Sequence, residues 1–124
     1  MKNILVTGGV GFIGTNLITE LVKLGHNVIS IDDYSAGLKT NEIESAKYVH
    51  LDIESINKID SDIDLCFHLA AKSRVQPSFK DPTEYFRVNV HGTMKVMEWA
   101  KKNNVKVIYA GSSSRHHNPS DSPY

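Results

Sequence analysis

Cysteine is nearly absent from this chain, since Cys66 is the one cysteine among 124 residues. A disulfide within the chain is therefore excluded, and the composition fits a reducing compartment, so we expect a cytoplasmic location. Because Cys66 lies in an apolar run, we expect it to be a small core residue rather than a nucleophile.

Net charge and long apolar runs are absent as well. Lysine plus arginine and aspartate plus glutamate number 14 each, so nothing indicates a general attraction to nucleic acid or to an anionic membrane. No apolar run approaches the length that spans a bilayer, and an apolar strand pattern begins so early that it leaves no room for a signal peptide. The adjacent pair His116 and His117 has no cysteine or carboxylate cluster beside it, so we expect no metal site. Any anion binding must therefore be local.

A glycine-rich stretch lies between a predicted strand and a predicted helix. Residues 7–14 read TGGVGFIG, after the apolar residues 4–6 and before apolar residues spaced by three or four up to Leu24. Free backbone N–H groups and the positive end of the helix dipole meet at such a junction, which favours a phosphate or pyrophosphate. We expect Gly8 to permit the tight turn, Gly11 to admit the phosphates, and Gly14 to let the helix pack close on the strand.

An acidic residue strengthens this interpretation. Asp32 ends the second predicted strand, residues 28–31, eighteen residues after Gly14. A carboxylate at that point accepts hydrogen bonds from the hydroxyls of an adenosine ribose. Its charge also disfavours a 2′-phosphate, and no arginine follows among residues 33–38 to offset it, so we predict NAD rather than NADP.

The rest of the chain alternates predicted strands and helices. Further strands are expected at residues 48–51, 63–69 and 105–110, with a short helical crossover at 55–58 and a long helix from Pro82 to Asn103. Residues 38–46 fit a loop or a short helix, and residues 74–80 a loop. This alternation demands right-handed crossovers and a parallel sheet with helices on its faces, for which we expect the strand order 3-2-1-4-5. Ligands of such sheets bind at the carboxyl ends of the strands, where strands one and four diverge.

The long helix carries two apolar faces. One comprises Phe86, Val90, Met97 and Ala100, and the other comprises Tyr85, Val88, Val96 and Trp99. The sheet covers one of them, so the other requires a second partner. His68, in the fourth strand, is expected to be a hydrogen-bonded core histidine rather than an acid or base.

Six ordered motifs now point to a family. They are the glycine stretch, Asp32-Asp33 with Ser35-Ala36-Gly37, Asp52-Ile53, residues 68–72 (HLAAK), residues 89–93 (NVHGT) and residues 109–114 (YAGSSS). With these motifs the chain resembles the N-terminal portion of extended short-chain dehydrogenase/reductases, the NAD-dependent nucleotide-sugar epimerase/dehydratase family, and most nearly its UDP-glucose/UDP-GlcNAc 4-epimerase-like members. The resemblance implies a Rossmann-type doubly wound sheet, incomplete at its C-terminus, in which residues 1–124 are the NAD-binding domain of a longer enzyme, either a prepared fragment or a natural truncation.

The resemblance also implies roles for individual residues. The loop from Gly8 through Gly11 to Gly14 would hold the pyrophosphate of NAD, with backbone N–H groups from Phe12 and Ile13. Asp32 would bind the adenosine ribose, with Asp33 near it, and Asp52 and Ile53 would contact adenine. Ala70 and Ala71 would pass under the cofactor, Lys72 would reach the ribose on the nicotinamide side, and Asn89 would fix the helix and loops around it.

Catalysis in this family rests on a serine or threonine, a tyrosine and a lysine. The resemblance places the serine at Ser113, with Ser112 and Ser114 as close rivals, and the tyrosine at Tyr124. Tyrosine removes a proton from a sugar hydroxyl, and the lysine lowers the pKa of the tyrosine. The spacing from Ser113 to Tyr124 is shorter than is usual, and the lysine would fall beyond the sequence.

Two functions follow as hypotheses. The first is the cofactor-binding portion of an NAD-dependent nucleotide-sugar enzyme. Epimerisation or keto-sugar reduction is favoured over dehydration, because no Asp-Glu pair follows Ser113. The second is a stand-alone dinucleotide-binding module with a sensing or regulatory role and no turnover. The family also implies a homodimer formed through the Pro82–Asn103 helix.

Overall fold

The computed structural model describes residues 1–72 and 79–110. The predictions for Ser112 to Ser114, for the histidine pair and for Tyr124 therefore lie outside the described residues, as does most of the predicted 74–80 loop. Within the described ranges, no helix is long and apolar enough to cross a membrane.

Five parallel strands form one sheet in the order β3-β2-β1-β4-β5, as predicted. The strands are β1 (Asn3–Thr7), β2 (Asn27–Asp32), β3 (Lys47–His50), β4 (Leu65–His68) and β5 (Lys106–Tyr109). The central strand β1 pairs with β2 on one side and with β4 on the other, so that Thr7 is opposite both Ile31 and His68. The carboxyl ends of these three strands therefore share one edge of the sheet.

Helices cover both faces of the sheet. Helix α1 (Phe12–Lys23) lies on one face. A 3-10 segment, Ile53–Lys58, and a long helical region lie on the other. The long region consists of α2 (Pro82–Phe86), a π-helical segment (Arg87–His91) and α3 (Gly92–Asn103). A short 3-10 turn at Lys39–Asn41 lies where a loop or short helix was predicted.

The alternation of apolar residues along β1 divides the core into two halves. Ile4 and Val6 pack with Ile18 of α1, whereas Leu5 packs with Val96 and Trp99 of α3. Successive side chains of a strand point to opposite faces, so a strand buried on both faces is apolar at every position. Cys66 is fully buried in the α3 half, and burial raises the pKa of its thiol to about 12. Its predicted role as a core residue is confirmed.

The long helical region differs from the uniform helix predicted. Its start is as expected, since the Asp81 side chain accepts a hydrogen bond from the Glu84 N–H and Pro82 occupies the first turn. The π-helical segment interrupts it at Arg87–His91. Gly92, which follows, packs so closely on Ile53 that a Cβ there would lie 2.6 Å from its Cγ2. Apolar periodicity does not report such an inserted residue.

The two predicted helix faces are largely observed. Val88, Val96 and Trp99 are buried, and the opposite side exposes Phe86, Val90, Met94 and Met97. One assignment was wrong, because Ala100 is buried. It lies one turn beyond Val96 and therefore faces the sheet. Met94, which the prediction omitted, belongs to the exposed side.

Candidate functional site

A cleft opens at the carboxyl ends of the strands, where β1 and β4 lead their chains in different directions. Its lining includes eight of the predicted cofactor-binding residues: Gly8, Gly11, Asp32, Asp33, Ile53, Ala70, Ala71 and Lys72. The lining does not include the other five, Phe12, Ile13, Gly14, Asp52 and Asn89. The cleft therefore lies at the predicted position, at the carboxyl ends of the strands where β1 and β4 diverge.

The glycine loop makes the sharp turn out of β1. Gly8 has a φ of +74°, a left-handed conformation that disfavours other residues, and its N–H donates to the Ile31 carbonyl at 2.8 Å. A Cβ on Gly14 would lie 2.3 Å from the Gly8 carbonyl oxygen and 2.8 Å from the Gly9 Cα. The prediction that Gly14 packs on the strand was therefore wrong in its partner, because the close approach is to the loop itself.

The start of α1 lies at the cleft, whose lining includes its N-cap, Gly11. The first N–H groups of any α-helix have no acceptor within the helix. Here Gly11 is the N-cap and supplies no side-chain cap, and the first turn holds no acidic residue. A Cβ on Gly11 would meet only the Gly8 oxygen, at 3.4 Å, and Phe12 and Ile13 point outward, 85% and 61% exposed. Backbone N–H groups and a positive helix end are therefore open to an anion.

The carboxylate of Asp32 is fixed at the next strand end. Its Oδ2 accepts a hydrogen bond from the Val10 N–H at 3.1 Å, and its Oδ1 accepts one from the Tyr34 N–H at 2.8 Å. A carboxylate offers about four acceptor positions, so capacity remains for the two hydroxyls of a ribose. Asp33 instead turns to its own loop, where its Oδ1 accepts from the Ser35 N–H and hydroxyl.

Asp52 is engaged by an ion-pair cluster that the sequence did not reveal. Arg87 Nη1 lies 3.0 Å from Asp52 Oδ2 and 2.6 Å from Glu54 Oε1, while Arg87 Nη2 lies 2.6 Å from Glu84 Oε1. His91 also hydrogen-bonds Glu54. Hydrogen bonds from Arg87 lower the pKa of Glu54 and of Glu84 below their usual range. Asp52 and Ile53 were both predicted to contact adenine, and of these two only Ile53 lines the cleft.

Asn89 joins the π-helical segment to the loop that follows β4. Its Oδ1 accepts from the Lys72 N–H at 2.7 Å, and its Nδ2 donates to the Lys72 carbonyl at 2.8 Å. These bonds join the helical region to the loop after β4, and the role of Asn89 around a bound cofactor stays a prediction. The backbone that carries the Lys72 side chain is thereby held at the rim of the cleft.

A buried polar network lies beneath the cleft floor. Thr7 Oγ1 accepts the N–H groups of Leu69 and Ala70, both at 3.0 Å, so its own hydrogen donates to His68 Nδ1 at 2.7 Å. His68 Nε2 must then carry the proton that it donates to Thr93 Oγ1 at 3.0 Å. The network therefore requires the neutral Nε2–H tautomer of His68, and burial lowers the pKa of its imidazole. The expectation of a satisfied core histidine is confirmed.

Several lining residues carried no prediction as site residues. Ser35, Ala36 and Gly37 wall the cleft beside Asp33, and Leu51 and Val88 supply apolar surface. The sequence motif Ser35-Ala36-Gly37 was recognised, but whether it would line the cleft depends on how the chain turns after β2. Thr7 gave a usable signal, since a threonine at the end of a buried strand must find hydrogen-bond partners.

Ser113 and Tyr124, the predicted catalytic residues, lie outside the described residues, so their catalytic roles stay predictions. Among residues 1–72 and 79–110, no group of three or more potential metal ligands converges. The described cleft combines a positive helix end, a glycine loop and a fixed carboxylate, which together fit the pyrophosphate and adenosine ribose of a dinucleotide.

A family model agrees with this geometry. The model of the NAD dependent epimerase/dehydratase family matches residues 4–123. The chain is 34% identical over 116 residues to a putative UDP-glucose 4-epimerase of Methanocaldococcus jannaschii, covering 88% of this chain and 37% of the relative. It is 36% identical over 118 residues to a UDP-N-acetyl-alpha-D-glucosaminuronate decarboxylase of Bacillus cytotoxicus, with 90% and 37% covered.

A solved structure shows the same architecture. The UDP-glucose 4-epimerase of Bifidobacterium longum, in complex with NAD+ and UDP, is 30% identical and superposes with a TM-score of 0.88 over 98% of this chain and 40% of its own. The chain thus spans about two fifths of the length of the proteins it matches.

Proposed function

Because the chain belongs to the NAD-dependent epimerase/dehydratase family, we propose that residues 1–124 are the NAD-binding Rossmann domain of a longer nucleotide-sugar enzyme. NAD is the cofactor of this family, and the matched relatives are epimerases and a decarboxylase. The observation that carries the proposal is the pairing, in one cleft, of the uncapped start of α1 with the Asp32 carboxylate at the adjacent strand end.

Each part of the cleft has a role in this proposal. The N–H groups around Phe12 and Ile13 bind the pyrophosphate, and Asp32 accepts the hydroxyls of the adenosine ribose. Apolar contact from Ile53 and the backbone of Ala70 and Ala71 exclude water from the cofactor. When bound, NAD supplies the hydride acceptor for sugar oxidation.

The proton transfer belongs to residues beyond the described part. Following the family resemblance, we assign Tyr124 as the base that takes the sugar hydroxyl proton and Ser113 as the hydrogen-bond donor to the reacting oxygen, with Ser112 and Ser114 as rivals. Lys72 adds a positive charge on the nicotinamide side, and a nearby cation favours the phenolate form of a tyrosine.

We favour epimerisation at C4 of a UDP-sugar as the reaction. Support comes from the 4-epimerases among the relatives and from the missing Asp-Glu pair after Ser113, a pair that the family's dehydratases carry. The stand-alone module with a sensing or regulatory role is less favoured, because the matched relatives carry the names of an epimerase and a decarboxylase. We also propose a reducing, cytoplasmic setting, in keeping with a single, buried cysteine.

We further propose a homodimer through the long helical region. Phe86, Val90, Met94 and Met97 expose an apolar strip of which 40 to 62% of each residue is solvent-accessible. An apolar strip of this kind is costly to leave in water. When two copies of the chain place the same strip against each other, the contact is self-complementary and gives a two-fold dimer.

Titration with both dinucleotides tests the proposed cofactor site. We expect NAD to bind more tightly than NADP, because the Asp32 carboxylate repels a 2′-phosphate. Asp32→Ala should weaken NAD binding and reduce the preference for NAD over NADP. Asp62→Ala, which removes the same charge from an exposed position outside the cleft, is the matched control. Equal or tighter NADP binding by the unchanged chain would refute the assignment.

A further inference from the structure

The orientation of Asp32 depends on two loops that meet at its carboxylate. The Val10 N–H comes from the glycine loop and reaches Oδ2, whereas the Tyr34 N–H comes from the loop after β2 and reaches Oδ1. The two loops are also joined directly, because Asn41 Nδ2 donates to the Val10 carbonyl at 2.8 Å. Each oxygen therefore has one fixed donor, which leaves its free lone pairs pointing in set directions.

Tyr34 directs its N–H to Asp32 by adopting an unusual backbone conformation. Its φ is +62°, in the left-handed region that is unfavourable for a residue with a Cβ. Such a conformation persists when the surroundings hold it. Here the Tyr34 hydroxyl donates to Glu42 Oε2 at 2.7 Å, and its ring lies 5.0 Å from the His50 ring at a tilt of 52°.

The side-chain contacts of Tyr34 lie outside the cleft. Glu42 and His50 line a neighbouring pocket together with Tyr34, whereas Asp32 lines the cleft. Since the Tyr34 side chain is not part of the cleft lining, it has no reason to touch a dinucleotide there. Its effect on the site must pass through its backbone N–H and the carboxylate that this group holds.

We propose that Tyr34 is a positioning residue: anchored by Glu42, it holds the Asp32 carboxylate in the orientation that receives the adenosine ribose, and so contributes to NAD affinity and to discrimination against NADP. This role rests on the proposed function of the cleft. Without the hydroxyl anchor, the left-handed backbone has less to hold it, and the Asp32 side chain gains rotational freedom that ribose binding must remove.

A double-mutant cycle separates positioning from general structural support. Tyr34→Phe keeps the ring and removes the anchor, and we expect it to weaken NAD binding about fivefold, a typical coupling between neighbouring residues. NADP binding should change less, because it gains little from Asp32. In the Asp32→Ala background, Tyr34→Phe should change NAD affinity by less than about twofold, since the carboxylate that it positions is gone.

Glu42 provides the matched pair of variants. Glu42→Gln retains an acceptor oxygen for the Tyr34 hydroxyl, so its NAD affinity should stay close to that of the unchanged chain. Glu42→Ala removes that acceptor and should behave like Tyr34→Phe. Two results would overturn the positioning role while leaving the proposed function intact. One is an equal loss of NAD affinity from Tyr34→Phe whether position 32 is Asp or Ala, and the other is NAD binding that is insensitive to Tyr34→Phe.

A second measurement needs no dinucleotide. In the free protein, amide hydrogen exchange at residues 10 and 34 should accelerate in Tyr34→Phe, because both N–H groups donate to the Asp32 carboxylate. Unchanged exchange at both amides would overturn the proposal. Failure of the unchanged chain to bind NAD would instead sink the proposed function, and the exchange result would then decide by itself whether Tyr34 positions Asp32.

Discussion

The hydroxyl of Thr7 is expected to be worth more to this fold than its size suggests. Thr7 is fully buried at the end of β1, and its oxygen serves three partners: the N–H groups of Leu69 and Ala70 and the Nδ1 of His68. Thr7→Val preserves the shape of the side chain and removes all three hydrogen bonds. The change therefore isolates the polar contribution.

The magnitude follows from counting what is left without a partner. The Leu69 N–H keeps the Thr7 carbonyl at 3.2 Å, so the groups left unpaired are the Ala70 N–H and the buried acceptor of His68. Each orphaned group costs roughly 1–3 kcal/mol, which predicts a loss of about 2–6 kcal/mol in the free energy of unfolding. Thr7→Ser retains the oxygen and gives up one methyl group, for a loss of about 1 kcal/mol.

Urea unfolding followed by tryptophan fluorescence measures both variants, since Trp99 is the one tryptophan and is buried in the core. We expect Thr7→Val to be clearly less stable than Thr7→Ser, with unchanged denaturant slopes. If the valine variant loses no more stability than the serine variant, the network does not hold the floor of the cleft in the way described.

Four further outcomes are expected. Burial lowers the pKa of His68 in the folded protein. The neutral ring therefore contributes its full stability above the pKa of about 6.5 that a histidine has in the unfolded chain, and this stability is lost as the pH falls below that value. In unfolding measured against pH, His68→Gln should reduce this loss. Arg87→Met removes the cation that lowers the pKa of Glu54 and Glu84, so it should destabilise the chain at pH 7 and matter less near pH 3, where unfolding curves should converge. In sedimentation, Met94→Lys should weaken self-association, whereas Lys102→Glu, on the side of α3 that lies beside the 3-10 segment, should not. Finally, a protein extended to the length of the matched relatives should interconvert UDP-glucose or UDP-GlcNAc with its epimer, and Tyr124→Phe should abolish this activity; survival of the activity would mean that the wrong base was named.

The architecture was largely predictable because its signals are local. Short apolar runs, glycines at a strand end and a helical apolar spacing each report the conformation of their own segment. Right-handed crossovers then require a parallel sheet with helices on its faces, and the strand order expected for a doubly wound sheet of this kind is the one observed. For the same reason the cleft could be located, since it lies where the chain must part after β1 and β4.

Element ends and interruptions were less predictable. The fourth strand was expected over residues 63–69 and occupies Leu65–His68, although Ile63 is buried. Burial makes a residue apolar whether or not it pairs in the sheet, so hydropathy overestimates strand length. The π-helical segment at Arg87–His91 was not predicted, because apolar spacing does not report an inserted residue.

By itself, the sequence determined the sheet order, the glycine turn and the presence of a carboxylate at the end of β2, since each depends on residue type and spacing along the chain. The tertiary structure alone decided which side chains meet. Asp52 pairs with Arg87 across 35 positions, and Thr7 joins His68 across 61. Such pairings depend on the register of neighbouring strands and on the packing of helix against sheet, and the energy of a hydrogen bond or ion pair is realised only when folding brings both partners within about 3 Å.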